Sequence, residues 1–277
     1  MQGPTGCFSD SLLSGKRALI TGGGTGIGKA VALELARAGA DLVLAARRIE
    51  VLEEAAKEIR EETGRQVECL LVNIRDVETV TALAEEVAKR WGQVDILINN
   101  AGGQFVQPAE DYSPNGWRTV IDLNLNGSWN MTQAFGKQML DGHGGCICNI
   151  VVALGRGMPG IAHTSAARAG VQDLSRSLSY EWGPKVRINN IGPGSIVTDA
   201  FENTYDDNVL DDIGETPMPH PGTVEDIANG VVFIVSPAGR FITGETLMVD
   251  GGVSWYGSNQ ALTGTDFKHR GEKGPDW

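Results

Sequence analysis

Thr21-Gly-Gly-Gly-Thr-Gly-Ile-Gly28 lies between an apolar run, Arg17 to Ile20, and a stretch in which Ile27, Val31 and Leu35 recur four apart. A strand that turns through glycines into a helix N-terminus makes an anion site. Glycine permits the tight turn and a close backbone approach, and the helix dipole favours negative charge there. A glycine motif alone says little, but the strand before it and the helix after it are the context that holds a dinucleotide pyrophosphate. Gly22, Thr25, Gly26 and Ile27 are the candidate contacts of this loop.

The elements that must position the loop alternate in kind along the chain. Ala40 to Ala46 carries Leu42-Val43-Leu44, which suits a strand buried on both faces. A charged helix follows, with Leu52, Ala56 and Ile59 as its inner stripe, and then a strand at Val67 to Val72. Val77, Val80, Leu83, Ala84 and Val87 mark a helix ending near Gly92, and Val94 to Ile98 reads as a strand. A long helical region over about Asn115 to Met139 leads to a strand at Cys146 to Val152 and a helix over Ala162 to Trp182. Strands near Val186 to Ile191 and Leu247 to Val249, and a helix from Val224 to Val235, complete the series. This alternation predicts an α/β fold: one domain with a doubly wound parallel sheet, helices on both faces and the ligand at the strands' carboxyl ends.

Hydrophobic residues make up 41% of the 277, ample for a buried core. The net charge of −12 disfavours nucleic acid and anionic membranes as partners, and any anionic ligand then needs a local basic pocket. No run of 18 apolar residues occurs, and Met1 to Ser14 lacks the basic start and apolar stretch of a signal peptide. The final Gly-Pro-Asp-Trp is not a peroxisomal tripeptide, so a soluble cytoplasmic protein is expected. Four scattered cysteines suit neither a disulfide framework nor a metal site, and Cys146 and Cys148 read as small reduced packing residues. Two stretches lack a period: Ile196 to Gly222, acidic with three prolines and expected to be a lid, and the polar tail from Ser254. The expected division is a tail at 1–14, the domain at 15–252 and a tail at 253–277.

The glycine loop, Asn99-Asn100-Ala101-Gly102 after the fourth strand, Asn124, and Pro193-Gly194 after the sixth follow in that order. Together they resemble the short-chain dehydrogenase/reductase superfamily over about Gly15 to Gly252. The resemblance implies a Rossmann-like fold that binds NAD(P) and usually transfers hydride. It implies that Asn73 and Ile74 flank the adenine, that Asn100, Ala101 and Gly102 line the cofactor, and that Pro193, Gly194, Ile196 and Thr198 hold the nicotinamide end. A carboxylate ending the second strand would accept from the ribose 2′-hydroxyl; here that end reads Ala45-Ala46-Arg47-Arg48. Two guanidinium groups without an acid suit a 2′-phosphate, so NADPH is the expected cofactor.

Most members of the superfamily carry Tyr-x-x-x-Lys where this chain has Thr164 and Arg168, and a serine where it has Ile150-Val151-Val152. Alcohol–ketone chemistry therefore lacks its usual acid. Asn99 to Phe105, Gly157-Met-Pro159, His163 to Gly170 and Phe241 to Glu245 resemble the peroxisomal trans-2-enoyl-CoA reductase branch, with 2,4-dienoyl-CoA reductases as relatives. A Tyr and Lys one helical turn further on in that branch correspond to Gln172 and Arg176 here. Hydride addition to the β-carbon of an enoyl thioester leaves an enolate, which needs donors aimed at its oxygen more than a strong acid. Thr164, Ser165 or a backbone N–H is the expected donor, Arg168 the ribose anchor, Asn124 the group behind the site, and His163 a candidate acid. Tyr205 in the lid is a weaker candidate, and Tyr180 and Lys185 have the wrong spacing.

The resulting expectation is NADPH-dependent reduction of a 2-enoyl-CoA thioester, including cyclic ones such as 1-cyclohexenylcarbonyl-CoA, to the saturated acyl-CoA. A carbonyl/alcohol oxidoreductase and a non-catalytic NADP-binding regulator are the alternatives. The coenzyme A nucleotide is expected near Arg156 or Arg118. The resemblance implies a homotetramer paired through the long helices, Asn115–Met139 and Ala162–Trp182.

Overall fold

A computed structural model describes residues 6–153, 157–198, 217–218 and 220–254. Its strands are β1 (Arg17–Thr21), β2 (Asp41–Ala46), β3 (Val67–Leu71), β4 (Ile96–Asn99), β5 (Gly145–Ile150), β6 (Val186–Pro193) and β7 (Thr246–Val249). They form one sheet in the order β3-β2-β1-β4-β5-β6-β7, every pair parallel. After β1 the chain builds outward through β2 and β3, then returns to lay β4 on the other side of β1. Such a reversal opens a crevice at the strands' carboxyl ends, because neighbouring crossovers leave in opposite directions.

Helices α1 (Gly26–Arg37), α2 (Ile49–Thr63) and α7 (Val224–Val235) cover one face of the sheet, while α3 (Val77–Trp91), α5 (Gly127–Asp141) and α6 (Ala162–Trp182) cover the other. The two-residue period of the strands divides them between two cores. Ile20 and Leu42 point into the first with Val31, Leu35 and Ile59, and Leu19 and Val43 into the second with Val87, Phe135 and Leu178. The segment before β1 is part of this packing: Leu13 is buried and its N–H donates to Ala38 O at 2.7 Å. Cys146 and Cys148 are buried and free, and burial pushes the Cys146 thiol up to about 11 and that of Cys148 up as well, so both stay protonated packing groups.

Most elements lie where periodicity places them; α6 and α7 match the expected ends. The long helix expected over Asn115 to Met139 is corrected by the structure. It consists of α4 (Pro114–Ile121), a π turn over Asp122–Asn126, and α5. Ser113 caps α4 by accepting from Gly116 N at 3.0 Å, with Pro114 in the first turn, where its missing N–H costs nothing. The wider π turn carries Asn124, whose Nδ2 donates to Val120 O at 3.0 Å, and it re-aims that side chain away from regular helical phase. An apolar stripe cannot reveal such a turn, because the flanking helices keep their buried faces. No helix among the described residues is long and apolar enough to cross a membrane, and no cluster of metal-ligating side chains occurs among them.

Candidate active site

A cleft of about 1110 Å³ opens at the carboxyl ends of β1, β4, β5 and β6 and reaches the tip of β2. Every residue assigned to the cofactor from sequence lines it, from Gly22, Thr25, Gly26 and Ile27 through Asn73 and Ile74 to Pro193, Gly194, Ile196 and Thr198. Backbone demands explain the glycines of the loop. Gly22 and Gly26 have φ of 68° and 51°, and a Cβ on Gly28 would collide with the Gly22 carbonyl oxygen. The loop is stitched to the next strand by one hydroxyl: Thr21 Oγ1 accepts from the N–H groups of Asn100 and Ala101, each at 3.0 Å, and donates to Ile98 O. Asn100 Nδ2 returns the contact by donating to Thr21 O at 3.0 Å. On the far side, Ile74 O accepts from Asn130 Nδ2 at 2.9 Å, which ties that end of the cleft to α5.

The charge of this cleft is opposite to that of the chain. Among the described lining residues the ionisable side chains are Arg47, Arg48 and Arg168, with no Asp, Glu, Lys, His or Tyr. Arg47 and Arg48 are exposed at the β2 tip. Arg168 is 7% exposed, and its Nε and Nη1 are buried without a hydrogen-bond partner. Burial brings its pKa down to about 10, so it remains a cation at neutral pH. A buried, unpaired guanidinium is costly, and an opposing polar or anionic ligand relieves that cost.

Asn124 lies beside it. Its Nδ2 donates to Gly103 O at 2.7 Å, its Oδ1 accepts from Gly103 N at 3.2 Å, and the side chain is 1% exposed. A Cβ on Gly102 would collide with Arg168 Nη2 and come within 2.6 Å of Asn124 Oδ1. Gly102 is therefore where backbone, amide and guanidinium converge. Asn124 acts by holding the Gly102-Gly103 strap rather than by reaching the cleft itself.

The other residues expected to do chemistry stand elsewhere. Thr164, Ser165 and His163 are absent from the cleft lining, although Thr164 and Arg168 are one helical turn apart. Side-chain length decides the difference. Thr164 is short, 1% exposed and turned onto its neighbour, its N–H donating to His163 Nδ1 at 2.8 Å, whereas the arginine stem carries its guanidinium to the cleft. His163 is fully buried, stacked on Tyr112 with ring centroids 4.5 Å apart and edge-on to Phe105 at the same separation. Burial lowers its pKa, which keeps it neutral at pH 7, so it belongs to an aromatic wall. Tyr112 OH donates to Gly160 O at 3.1 Å and accepts from Ala162 N at 3.0 Å, fastening the segment that contributes Met158, Pro159 and Ile161 to the cleft.

Gln172 sits behind the cleft with its Nε2 at 3.5 Å from Val152 O, and Arg176 is a surface residue facing Asp173. Tyr180 is 92% exposed and Lys185 donates to Leu140 O, so neither approaches the site. Arg118 is exposed on α4 outside the lining, while Arg156 and Tyr205 lie outside the described residues. Of the expected lid, the ends are joined by a parallel bridge between Ile196 and Gly222, and residues 199–216 lie outside the described residues, as does the tail from 255. Sequence reasoning missed Ser195, Val253 and Ser254 in the lining. Val253 and Ser254 lie in the turn after β7, where Asp250 accepts from Gly252 N and Ser254 N, each at 2.9 Å, and Ser195 directly follows Pro193-Gly194 at the end of β6.

Comparison with known proteins agrees with this geometry. The family model described as enoyl-(acyl carrier protein) reductase matches residues 22–254. Peroxisomal 2,4-dienoyl-CoA reductase [(3E)-enoyl-CoA-producing] of Danio rerio is 37% identical over 92% of this chain and 86% of its own. A probable 2,4-dienoyl-CoA reductase [(2E)-enoyl-CoA-producing] of Bacillus subtilis is 37% identical over 86% of this chain and 96% of its own. Among solved structures, a gluconate 5-dehydrogenase from Burkholderia cenocepacia in complex with NADP and tartrate superposes with a TM-score of 0.85, at 32% identity over 90% of this chain and 99% of that one. Sequence, sheet order and cleft agree: the chain is an oxidoreductase of the short-chain dehydrogenase/reductase family, within its enoyl reductase-like members.

Proposed function

We propose that the protein reduces a carbon–carbon double bond conjugated to a coenzyme A thioester, with NADPH as reductant. The observation that carries this reading is the makeup of the cleft: three arginines and no acid–base side chain among its described lining residues. Two features fit a dinucleotide, namely the glycine turn with no room for a Cβ at Gly28, and the buried guanidinium of Arg168 with two unpaired nitrogens. The cofactor supplies hydride. Arg47 and Arg48, at a strand tip without a carboxylate, receive the 2′-phosphate and so favour NADPH over NADH.

A ketone reduced at such a site leaves an alkoxide, which needs a proton delivered at once. An enoyl thioester leaves an enolate, far less basic, which needs positive potential and hydrogen-bond donors. Arg168 supplies that potential while holding the ribose, its cation undiminished at neutral pH. Asn124 keeps the Gly102-Gly103 strap at the height Arg168 requires. The aromatic cluster of Phe105, Tyr112 and His163 backs the segment that brings Met158, Pro159 and Ile161 to the cleft, where the acyl group would lie. With no acid–base side chain among the described lining residues, protonation falls to solvent at the carbon of highest charge, the α-carbon. For a 2,4-dienoyl thioester that gives a 3-enoyl product, and for a 2-enoyl thioester the saturated one. Assembly as a homotetramer through α5 and α6 belongs to the same proposal.

The test is NADPH oxidation by the purified protein against 2-enoyl-CoAs, 1-cyclohexenylcarbonyl-CoA, 2,4-dienoyl-CoAs, simple ketones and secondary alcohols, with the products identified. Turnover with the conjugated thioesters alone is expected. Turnover with ketones or alcohols and none with thioesters replaces this reading by carbonyl chemistry, and tight NADPH binding with no turnover at all replaces it by a regulator.

A further inference from the structure

Asparagine is a poor strand former, and a buried amide is costly unless fully paired. Yet the central strands carry one each at a single level. Asn99 of β4 stands opposite Asn149 of β5, Asn149 opposite Asn190 of β6, and Asn190 opposite Thr246 of β7. The three asparagines are 2%, 3% and 0% exposed. Their amide hydrogens run in one direction: Asn99 Nδ2 donates to Asn149 Oδ1 at 2.8 Å, Asn149 Nδ2 to Asn190 Oδ1 at 3.0 Å, and Asn190 Nδ2 to Thr246 Oγ1 at 3.1 Å.

The row also grips both helices of that face. Asn99 Nδ2 donates to Thr132 Oγ1 of α5 at 2.9 Å. Ser175 Oγ of α6 accepts from Asn149 Nδ2 at 3.0 Å and donates to Asn190 Oδ1 at 2.7 Å. Ser175 is two helical turns from Arg168, on nearly the same helical face, since two turns take about seven residues. Thr132 stands in α5 just beyond the π turn that bears Asn124. The residue after Asn99 is Asn100, and that after Asn149 is Ile150; both line the cleft.

We propose that this amide row is a positioning device for the active site, with Ser175 the residue that sets the height of Arg168. A parallel sheet apolar on both faces has little in its pattern to fix how far one strand slides against the next, and a one-directional row that places every amide hydrogen, leaving only Asn99 Oδ1 at its first end without a partner, fixes it. The row levels the strand tips that carry Asn100 and Ile150, and through Thr132 and Ser175 it places α5, with the π turn before it that bears Asn124, and α6, which bears Arg168, against those tips. The inference stands on the row's own geometry and on Arg168 facing the cleft; it does not depend on which thioester is reduced.

Ser175→Ala, Ser175→Thr and Asn149→Leu are the variants, read by steady-state kinetics with whichever substrate the wild type turns over, by NADPH titration, and by circular dichroism with thermal melting. Ser175→Ala removes only the α6 attachment. The expected result is a folded protein with kcat lowered about tenfold to a hundredfold, the effect of a misplaced group, and with the dissociation constant of NADPH raised as Arg168 shifts from the ribose. Ser175→Thr restores most of kcat. Asn149→Leu is expected to lower both kcat and melting temperature. Ser175→Ala with wild-type kcat and KM, or a kcat that Ser175→Thr fails to restore, overturns the proposal. If the wild type turns over no substrate, the NADPH titration of Asn149→Leu decides: an unchanged dissociation constant overturns it.

Discussion

The two sides of the cleft are built on different principles. On the side of β1 and β2 the site is mostly backbone: Gly22, Gly26 and Gly28 shape a loop, and one hydroxyl, Thr21 Oγ1, stitches it to Asn100 and Ala101. On the side of β5 and α6 it is side chain: Arg168 reaches the cleft on a long stem, Asn124 holds a strap through a π turn, and an amide row beneath sets their level. Backbone sites are specified by residues adjacent in sequence. Side-chain sites depend on where helices come to rest, and a neighbour on the same helix can be turned wholly away.

Breaking the backbone side is expected to have the largest effect. Gly28→Ala places a methyl against the Gly22 carbonyl, where nothing can give. NADPH binding weakens by about a hundredfold or more, roughly 2.7 kcal/mol, measured by fluorescence titration. Next comes Arg168→Ala, which lowers kcat/KM about a hundredfold to a thousandfold, as loss of a charge-stabilising donor does, and which relieves a buried charge so that the melting temperature does not fall. Arg168→Lys, still cationic but without the planar fork, falls between the two. A smaller effect sharpens the cofactor assignment: Arg47→Ala with Arg48→Ala weakens NADPH by about tenfold and leaves NADH within twofold. The smallest tests the contrast between neighbours on α6. Thr164→Val and Ser165→Ala are expected to keep kcat within twofold, and a hundredfold loss in either places the hydroxyl in the reaction after all.

Much of the frame was readable in advance because strands and helices announce themselves by period. Leu19 and Ile20 alternate between the two cores, and Val31 and Leu35 fall on one helical face. The residues expected at the cofactor were readable as cleft lining for a related reason: a glycine turn or a strand tip is a local backbone feature. The π turn was not, since Asp122–Asn126 interrupts a helix without interrupting its apolar stripe. Tyr112 was not either, because its partners Gly160 and Ala162 lie some fifty residues away in the chain.

The sequence by itself determined the alternation of elements, the glycine turn between β1 and α1 and the presence of Thr164 and Arg168 one helical turn apart, since each depends on residue type and spacing within one segment. Only the tertiary structure decided that Arg168 faces the cleft unpaired while Thr164 and His163 back into an aromatic wall. It alone also lined up three asparagines from three strands. Such facts depend on side-chain length and on register between segments far apart in the chain, and these are set when helices and strands pack.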